Sequence, residues 1–184
     1  SHFFEWHQAA WQLTSSDRFS VLSGLSHDPL LRDVLGALWV GGTSVIPRSD
    51  RMGSPGYLAE WLLRERISVV HLTPAMADLV SGEGTSTGTT WPDLRRVFFG
   101  GDALLASTVN ALRMQSPHAT FVNFYGSSET PQAMGFYRIP DIAGSGGVER
   151  IPVGSGIPDV QLLVLTHGGG LAGIGELGEI CVRT

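Results

Sequence analysis

Residues 123–130 read Asn-Phe-Tyr-Gly-Ser-Ser-Glu-Thr, directly after the apolar run "ATFV". A ring, a glycine, two hydroxyls and a carboxylate thus follow one another where a buried strand ends. The set suits a nucleotide. Tyr125 offers a flat face to a purine. Ser127 and Ser128 supply hydroxyls and exposed N–H groups for phosphate oxygens. Glu129 supplies a hard oxygen for Mg²⁺, an ion that neutralises phosphate charge. Upstream, Gly100 and Gly101 in "GGDA" let a ligand approach the backbone closely. The plainer alternative is a solvated strand-to-loop turn, where small polar residues are ordinary.

Such groups need elements that carry them to one place. Apolar residues at helical spacing mark a helix in "HFFEWHQAAW". "RFSVLSG" (18–24) reads as a buried strand. "PLLRDVLGALW" (29–39) is a helix with proline at its start and Gly41-Gly42 past its end. "TSVIP" (43–47) is a short strand. Ser54-Pro55 is expected to cap the helix "GYLAEWLLRER". "ISVVHL" (67–72) is a strand, and Thr73-Pro74 opens another helix. "RRVFF" (95–99) is a strand, "ALLASTVNALRMQ" a helix, and "TFVNFY" a strand again.

This alternation predicts an α/β fold: a doubly wound, largely parallel sheet with helices on both faces, over about residues 1–140. After residue 140, glycine-rich turns separate the short strands "VQLLVL" and "GEICVR". Residues 141–184 are expected to form the first, incomplete part of a β-barrel subdomain. Ligands of open parallel sheets bind outside the carboxyl ends of the strands. Four polar turns fall there: "SGLSHDP" (23–29), "HLTP" (71–74), "GGDA" (100–103) and "YGSSET" (125–130).

The totals exclude other classes. A net charge of −5 with no basic cluster argues against a nucleic-acid partner. The single cysteine, Cys181, allows no internal disulfide and points to a reducing, cytoplasmic compartment. No apolar run approaches the ~20 residues of a membrane span. The six histidines show no paired metal-ligand spacing. Gly84-Thr-Ser86-Thr-Gly88 and His167-Gly-Gly-Gly170 match serine-hydrolase motifs, but the supposed nucleophile lies in a small-residue loop and the two motifs run in the wrong order. The chain begins without methionine and ends within a strand-like run, so a piece of a larger protein is expected.

The residues also carry a resemblance. "NFYGSSET" resembles the Asn-x-Tyr-Gly-x-Thr-Glu signature of AMP-forming adenylating enzymes, which include acyl-CoA ligases and the adenylation domains of nonribosomal peptide synthetases. "RRVFFGGDAL" resembles their adenine-binding segment, and "IPVGSGIPDVQLLVL" with "GELGEICV" the opening of their β-barrel. All these pieces occur in the family's order and spacing. "FSVLSGLSHDPLLRDVLGALWVGGTSVIP" with "VVHLTPAMADLV" is similar more narrowly to the α-aminoadipate reductases.

The resemblance implies that ATP and Mg²⁺ convert a carboxylic acid, most simply an amino acid, to acyl-AMP. The acyl group would then pass to the phosphopantetheine thiol of a peptidyl carrier protein, among neighbouring synthetase domains. Gly100, Gly101, Asp102, Ala103, Asn123, Tyr125, Gly126, Ser127 and Ser128 match nucleotide-binding positions, with Ser128 and Glu129 catalytic and Glu129 the metal ligand. Asp28 matches the partner of the substrate's α-ammonium. His27 matches the aromatic gate of the thiol tunnel, with a satisfied supporting histidine as the alternative. Pro29, Arg32, His71, Phe98, Gly100, Phe124, Gln132 and Ala133 match positions lining the acyl pocket. Arg32 could hold a second carboxylate, or be a helix-surface arginine paired with Asp28 or Asp33.

The chain departs from the family in places. His27 stands for a phenylalanine and Ser128 for a threonine. Against the pocket of the α-aminoadipate reductases, Gly100 stands for a bulkier residue, Gln132 for a basic one and Phe124 for a smaller, flexible one, so the pocket is not the same and the resemblance does not fix the substrate. The family's phosphate loop is expected before residue 1, and its ribose-binding aspartate, hinge and catalytic lysine beyond Thr184. The piece alone is therefore expected to bind nucleotide weakly and turn over little. An acyl-CoA ligase, which needs no Asp28 contact, and an inert scaffold segment are the other readings.

Overall fold

The computed structural model describes residues 2–24, 29–82, 88–140 and 149–184. Helix α1 (His2–Trp11) leads to strand β1 (Arg18–Ser20), helix α2 (Pro29–Val40) and strand β2 (Thr43–Val45). Helix α3 (Tyr57–Arg64), β3 (Val69–Leu72), α4 (Pro74–Ser81), β4 (Arg96–Phe99), α5 (Ala106–Gln115) and β5 (Thr120–Ser127) follow. Then come β6 (Thr130–Ile139), β7 (Ser155–Gly156), β8 (Gln161–Leu165) and β9 (Glu179–Arg183).

Strands β1 to β7 form one sheet in the order β2-β1-β3-β4-β5-β6-β7. Strands β1 to β5 pair in parallel, whereas β6 and β7 add on antiparallel. The winding direction reverses between β1 and β3, and crevices form where the strand order reverses. Strand residues alternate between faces. Val70, Leu72, Val97, Phe99 and Phe121 pack with α3, α4 and α5 residues such as Trp61, Val80 and Leu112. Phe19, Val69, Phe98, Val122 and Phe124 pack with Phe3, Trp11 and Ala37 from α1 and α2. The mostly parallel sheet, with helices on both faces, is the expected architecture.

Local details differ. Ser54-Pro55 does not cap α3: Gly56, at φ +74°, is the N-cap, with no side-chain cap bond. The left-handed turn there needs glycine. Thr73 behaves as expected, its Oγ1 accepting from the Met76 N–H at 3.2 Å with Pro74 in the first turn. Helix α5 begins at Ala106 rather than 103. Leu104 and Leu105 stay extended because residues 149–151 pair with this segment: Ile151 N–H donates to the Leu104 carbonyl at 2.8 Å, and Ala106 N–H to the Glu149 carbonyl at 3.0 Å. Strand β6 was not anticipated, and it turns the end of β5 into a hairpin. Strands β8 and β9 form a separate antiparallel pair, and the "HGGG" residues follow β8 in the turn before β9.

Candidate functional site

The carboxyl ends of β4 and β5 open into a cavity of about 300 Å³, within the size range of small-molecule sites. Gly101, Asp102, Ala103, Asn123, Tyr125 and Gly126 line it, together with Phe124, Arg150 and Ile151. "GGDA" and "NFYG" are thus brought together from segments 20 residues apart. Gly101 adopts φ +92°, which a side chain would strain. Asp102 Oδ1 accepts from the Ala103 N–H at 2.6 Å. Asn123 Nδ2 donates to the Pro152 carbonyl at 2.9 Å and so ties residues 149–153 over one side of the cavity.

Ser127, Ser128 and Glu129 lie beyond the cavity wall at the exposed tip of the β5–β6 hairpin. Ser127 pairs with Thr130, leaving Ser128 and Glu129 as the turn. Ser127 N–H donates to Thr130 Oγ1 at 3.2 Å. The backbone N–H of Glu129 and then the Ser127 hydroxyl hold the Glu129 carboxyl below the usual range. It is therefore ionised at neutral pH and presents oxygen to solvent beside the cavity, the donor chemistry that Mg²⁺ takes. Among the described residues no cluster of three or more His, Cys, Asp or Glu forms a self-sufficient metal cage, and Mg²⁺ needs few protein ligands when phosphates supply the rest.

A smaller space of about 20 Å³ adjoins at the β1/β3 reversal, lined by Pro29, Arg32, His71, Phe98 and Gly100 among others. Gly100 and Gly101 therefore face neighbouring spaces. The Phe124 ring stacks on Phe98 with centroids 4.9 Å apart and planes 9° apart. The Arg32 guanidinium lies 5.7 Å from the Phe124 centroid. Arg32 is only 7% exposed, so it is no surface arginine. Phe98 stacks in turn on His71 at 4.9 Å.

The remaining candidates lie elsewhere. Ala133 is fully buried in the cluster containing Phe98 and Phe124. Gln132, at φ +76°, lines a different, more apolar space with Phe3, Phe4 and Met134. His27, Asp28, Gly84 and Ser86 fall outside the described residues.

Two residues beneath the small space were not singled out by sequence. Asp33 is fully buried and its Oδ1 accepts from His71 Nδ1 at 2.8 Å. His7, 1% exposed, packs its ring 4.8 Å from Phe98. Burial, then His71, then Arg32 push the His7 pKa well down. Burial also lowers that of His71, against the raising effect of Asp33. Both imidazoles are neutral at neutral pH. The sequence signal was an Arg-Asp pair within the otherwise apolar helix "PLLRDVLGALW", since buried charges need partners.

Residues 2–184 match the family described as AMP-binding enzyme. The L-2-aminoadipate reductase large subunit of Eremothecium gossypii is 35% identical over 190 residues, covering all of this chain and 14% of that protein. The chain thus spans about one-seventh of that relative's length. A crystal structure of the nonribosomal peptide synthetase FmoA3 superposes with a TM-score of 0.84 at 24% identity, over 98% of this chain and 19% of that one. The Vibrio cholerae adenylation domain AlmE, solved with glycyl-adenosine-5'-phosphate, superposes at 0.82 and 22% identity, over 97% of this chain and 32% of that one. Both likenesses are of fold.

Proposed function

From the premise that this chain belongs to the AMP-binding enzyme family, we propose that the full-length protein is an AMP-forming adenylation enzyme that activates an amino acid with ATP. The observation that carries this is the convergence of Gly101–Ala103 and Asn123–Gly126 on one cavity, with Gly100 linking it to the space beside Arg32 and His71.

A substrate carboxylate oxygen attacks the α-phosphorus of ATP. The bond to the bridging oxygen breaks, and pyrophosphate leaves with the electron pair. No covalent bond to the protein is needed, so catalysis is positioning and charge neutralisation. Tyr125 supports the adenine, while the glycines let backbone approach the nucleotide. Ser127 and Ser128 hold phosphate oxygens. Glu129 would hold Mg²⁺, which would supply positive charge to the phosphates. Pro29, Arg32, His71, Phe98, Gly100, Phe124 and Ala133 bound the acyl side chain, with Gln132 at the pocket's far edge. Asp28 pairs with the α-ammonium and His27 borders the thiol's approach. The acyl group then moves to a carrier-protein phosphopantetheine thiol, the thiol sulfur displacing AMP. Residues 1–140 form the α/β unit, and 141–184 begin a β-barrel subdomain. A cytoplasmic setting supplies the ATP.

ATP–pyrophosphate exchange by the full-length protein tests this, with amino acids and their deamino analogues as substrates. Exchange with the amino acids is expected. Activity restricted to the deamino acids would point to an acyl-CoA ligase-type enzyme and defeat the reading.

A further inference from the structure

Arg150 lines the larger cavity, and nothing in the adenylation scheme above uses it. Its backbone is fixed. Ala106 N–H donates to the Glu149 carbonyl at 3.0 Å and Ile151 N–H to the Leu104 carbonyl at 2.8 Å, which sets Arg150 opposite Leu105. The Pro152 carbonyl is held in turn by Asn123 at 2.9 Å. Alternation along this pair buries Leu104 and Ile151 and leaves Arg150 exposed. Its guanidinium meets no ion-pair partner among the described residues, whereas Arg18, Arg48, Arg64, Arg66 and Arg95 each engage a carboxylate. Asp102, the other charged residue lining the cavity, is not that partner: its Oδ1 accepts instead from the Ala103 N–H at 2.6 Å. A cation on a fixed stretch of main chain thus borders the nucleotide space with its donors uncommitted to protein.

We propose that Arg150 is a base-binding residue of the nucleotide site: its guanidinium closes over the ring of the adenine that Tyr125 supports. This rests on the adenylation reading above. The partition of the site decides for the base over the phosphates. Tyr125, Gly126 and the "GGDA" segment line the cavity together with Arg150. Ser127, Ser128 and Glu129, assigned to the phosphates and Mg²⁺, lie beyond its wall at the hairpin tip. An arginine bordering the cavity therefore shares space with the base. A guanidinium is planar and weakly hydrated, so it stacks on flat ring systems, nucleobases included. Closing over the base breaks no ion pair. Because the main chain at 149–152 is already held, only side-chain torsions must be ordered, which keeps the entropic cost small. A lysine there would bring a compact, strongly hydrated charge without the plane.

The test is ATP–pyrophosphate exchange by the full-length protein and its Arg150→Ala and Arg150→Lys variants, with adenosine as an inhibitor that carries the base and no phosphate. Arg150 is exposed and its pairing runs through the main chain, so both variants should keep the wild-type melting temperature. Arg150→Ala should raise the KM for ATP and the inhibition constant of adenosine together, by roughly three- to tenfold, the range of a guanidinium–ring contact partly withdrawn from water. kcat and the KM for pyrophosphate should stay within about twofold of wild type. Arg150→Lys should restore only part of the loss. A higher KM for ATP or pyrophosphate with adenosine inhibition unaltered assigns Arg150 to the phosphates and overturns the proposal. So do full restoration by lysine, which needs charge but no plane, and Arg150→Ala kinetics that match wild type. So does a wild-type protein that adenosine does not inhibit, since its base contacts then contribute nothing on their own. Each of these leaves amino-acid activation standing. Absence of exchange by the wild-type protein with any acid overturns the activation reading, and this proposal with it.

Discussion

Gly126 lies close against the opposing strand of the β5–β6 hairpin, and its replacement by alanine gives a quantitative expectation. Its φ lies outside the left-handed region, so the backbone itself admits a side chain. The obstacle is across the hairpin. An added Cβ would stand 2.5 Å from the Gln132 carbonyl oxygen, where contacts under 3.0 Å are essentially never seen and ordinary contact begins at 3.4 Å. The opposing strand must therefore retreat by about 0.5 to 0.9 Å. No rotamer relieves the clash, because both groups are fixed to backbone. The pairing already shifts here, with Tyr125 opposite Gly135 but Ser127 opposite Thr130, and that irregularity brings the Gln132 carbonyl in. Overpacking of this kind costs about 1–3 kcal/mol. Opening the strands also moves the turn that carries Ser128 and Glu129, and a displacement on the order of 1 Å at a reacting centre costs about 10²-fold in rate. The full-length Gly126→Ala protein should therefore fold but lose roughly 10- to 100-fold in kcat/KM for ATP–pyrophosphate exchange, with melting temperature as the control for folding. A folded variant within about twofold of wild type would refute the claim that the hairpin tip is held in register for catalysis.

Other expectations follow from neighbouring contacts. Glu129→Ala should lose most Mg²⁺-dependent exchange, read as a flattened Mg²⁺ titration; near-wild-type activity would favour an inert scaffold role. Gly100→Ala should be tolerated, since its Cβ would meet Phe124 and Arg32 at 3.6 to 3.9 Å. It should raise KM for long amino-acid side chains, whereas a parallel rise in KM for ATP would put Gly100 in the nucleotide space instead. Asp17 is buried and accepts from Arg95, from Ser68 Oγ at 2.6 Å and from Thr14 N–H at 2.8 Å. Burial raises its pKa, but these bonds outweigh it and the net shift is downward. Asp17→Asn should cost about 2 kcal/mol at pH 7, less than a fully buried pair because Arg95 is 38% exposed. A lowered pKa contributes stability above the unfolded value of about 4 that is lost as pH falls through the folded value. The gap between wild type and variant should therefore shrink by pH 3 in denaturant titrations, and a constant gap would contradict the account. Buried His7 and His71 must stay neutral. Below pH 6.5 the unfolded chain takes a proton that folded His7 refuses, so stability should fall by about 1.4 kcal/mol per pH unit on account of His7, with His71 adding to the fall in the same direction. His7→Phe should make the slope visibly shallower, and an unaltered slope would show that His7 is not responsible.

Much of the framework could be read before any coordinates. Thr73-Pro74 announced α4 because a hydroxyl cap and a pre-set φ act within one turn. Gly100-Gly101 marked the end of β4 because glycine interrupts an apolar run, whereas β5 continues through Asn123 to Gly126 and ends only at Ser127. The misreadings share one cause. Helix α5 starts late because residues 149–151 hold Leu104 and Leu105 extended. Strand β6 escaped notice because its pairing with β5 hangs on a turn of Ser128 and Glu129 without glycine. In both cases a partner distant from the local pattern overrides local preference. The Asp33–His71 dyad was hidden likewise. The two residues are 38 apart in sequence, and neither helical nor strand periodicity links them.

What sequence by itself determined is everything set within a few residues, namely the alternation of helices and strands and the signature turns, together with the net negative charge. The tertiary structure alone decided which turns share a cavity, which histidine nitrogen faces a carboxylate, and that the serine–glutamate pair rides on a hairpin. The reason is physical. Capping, periodicity and turn chemistry act over a handful of bonds, whereas a cavity's shape and a buried atom's solvation depend on side chains that meet only when the sheet closes its two faces.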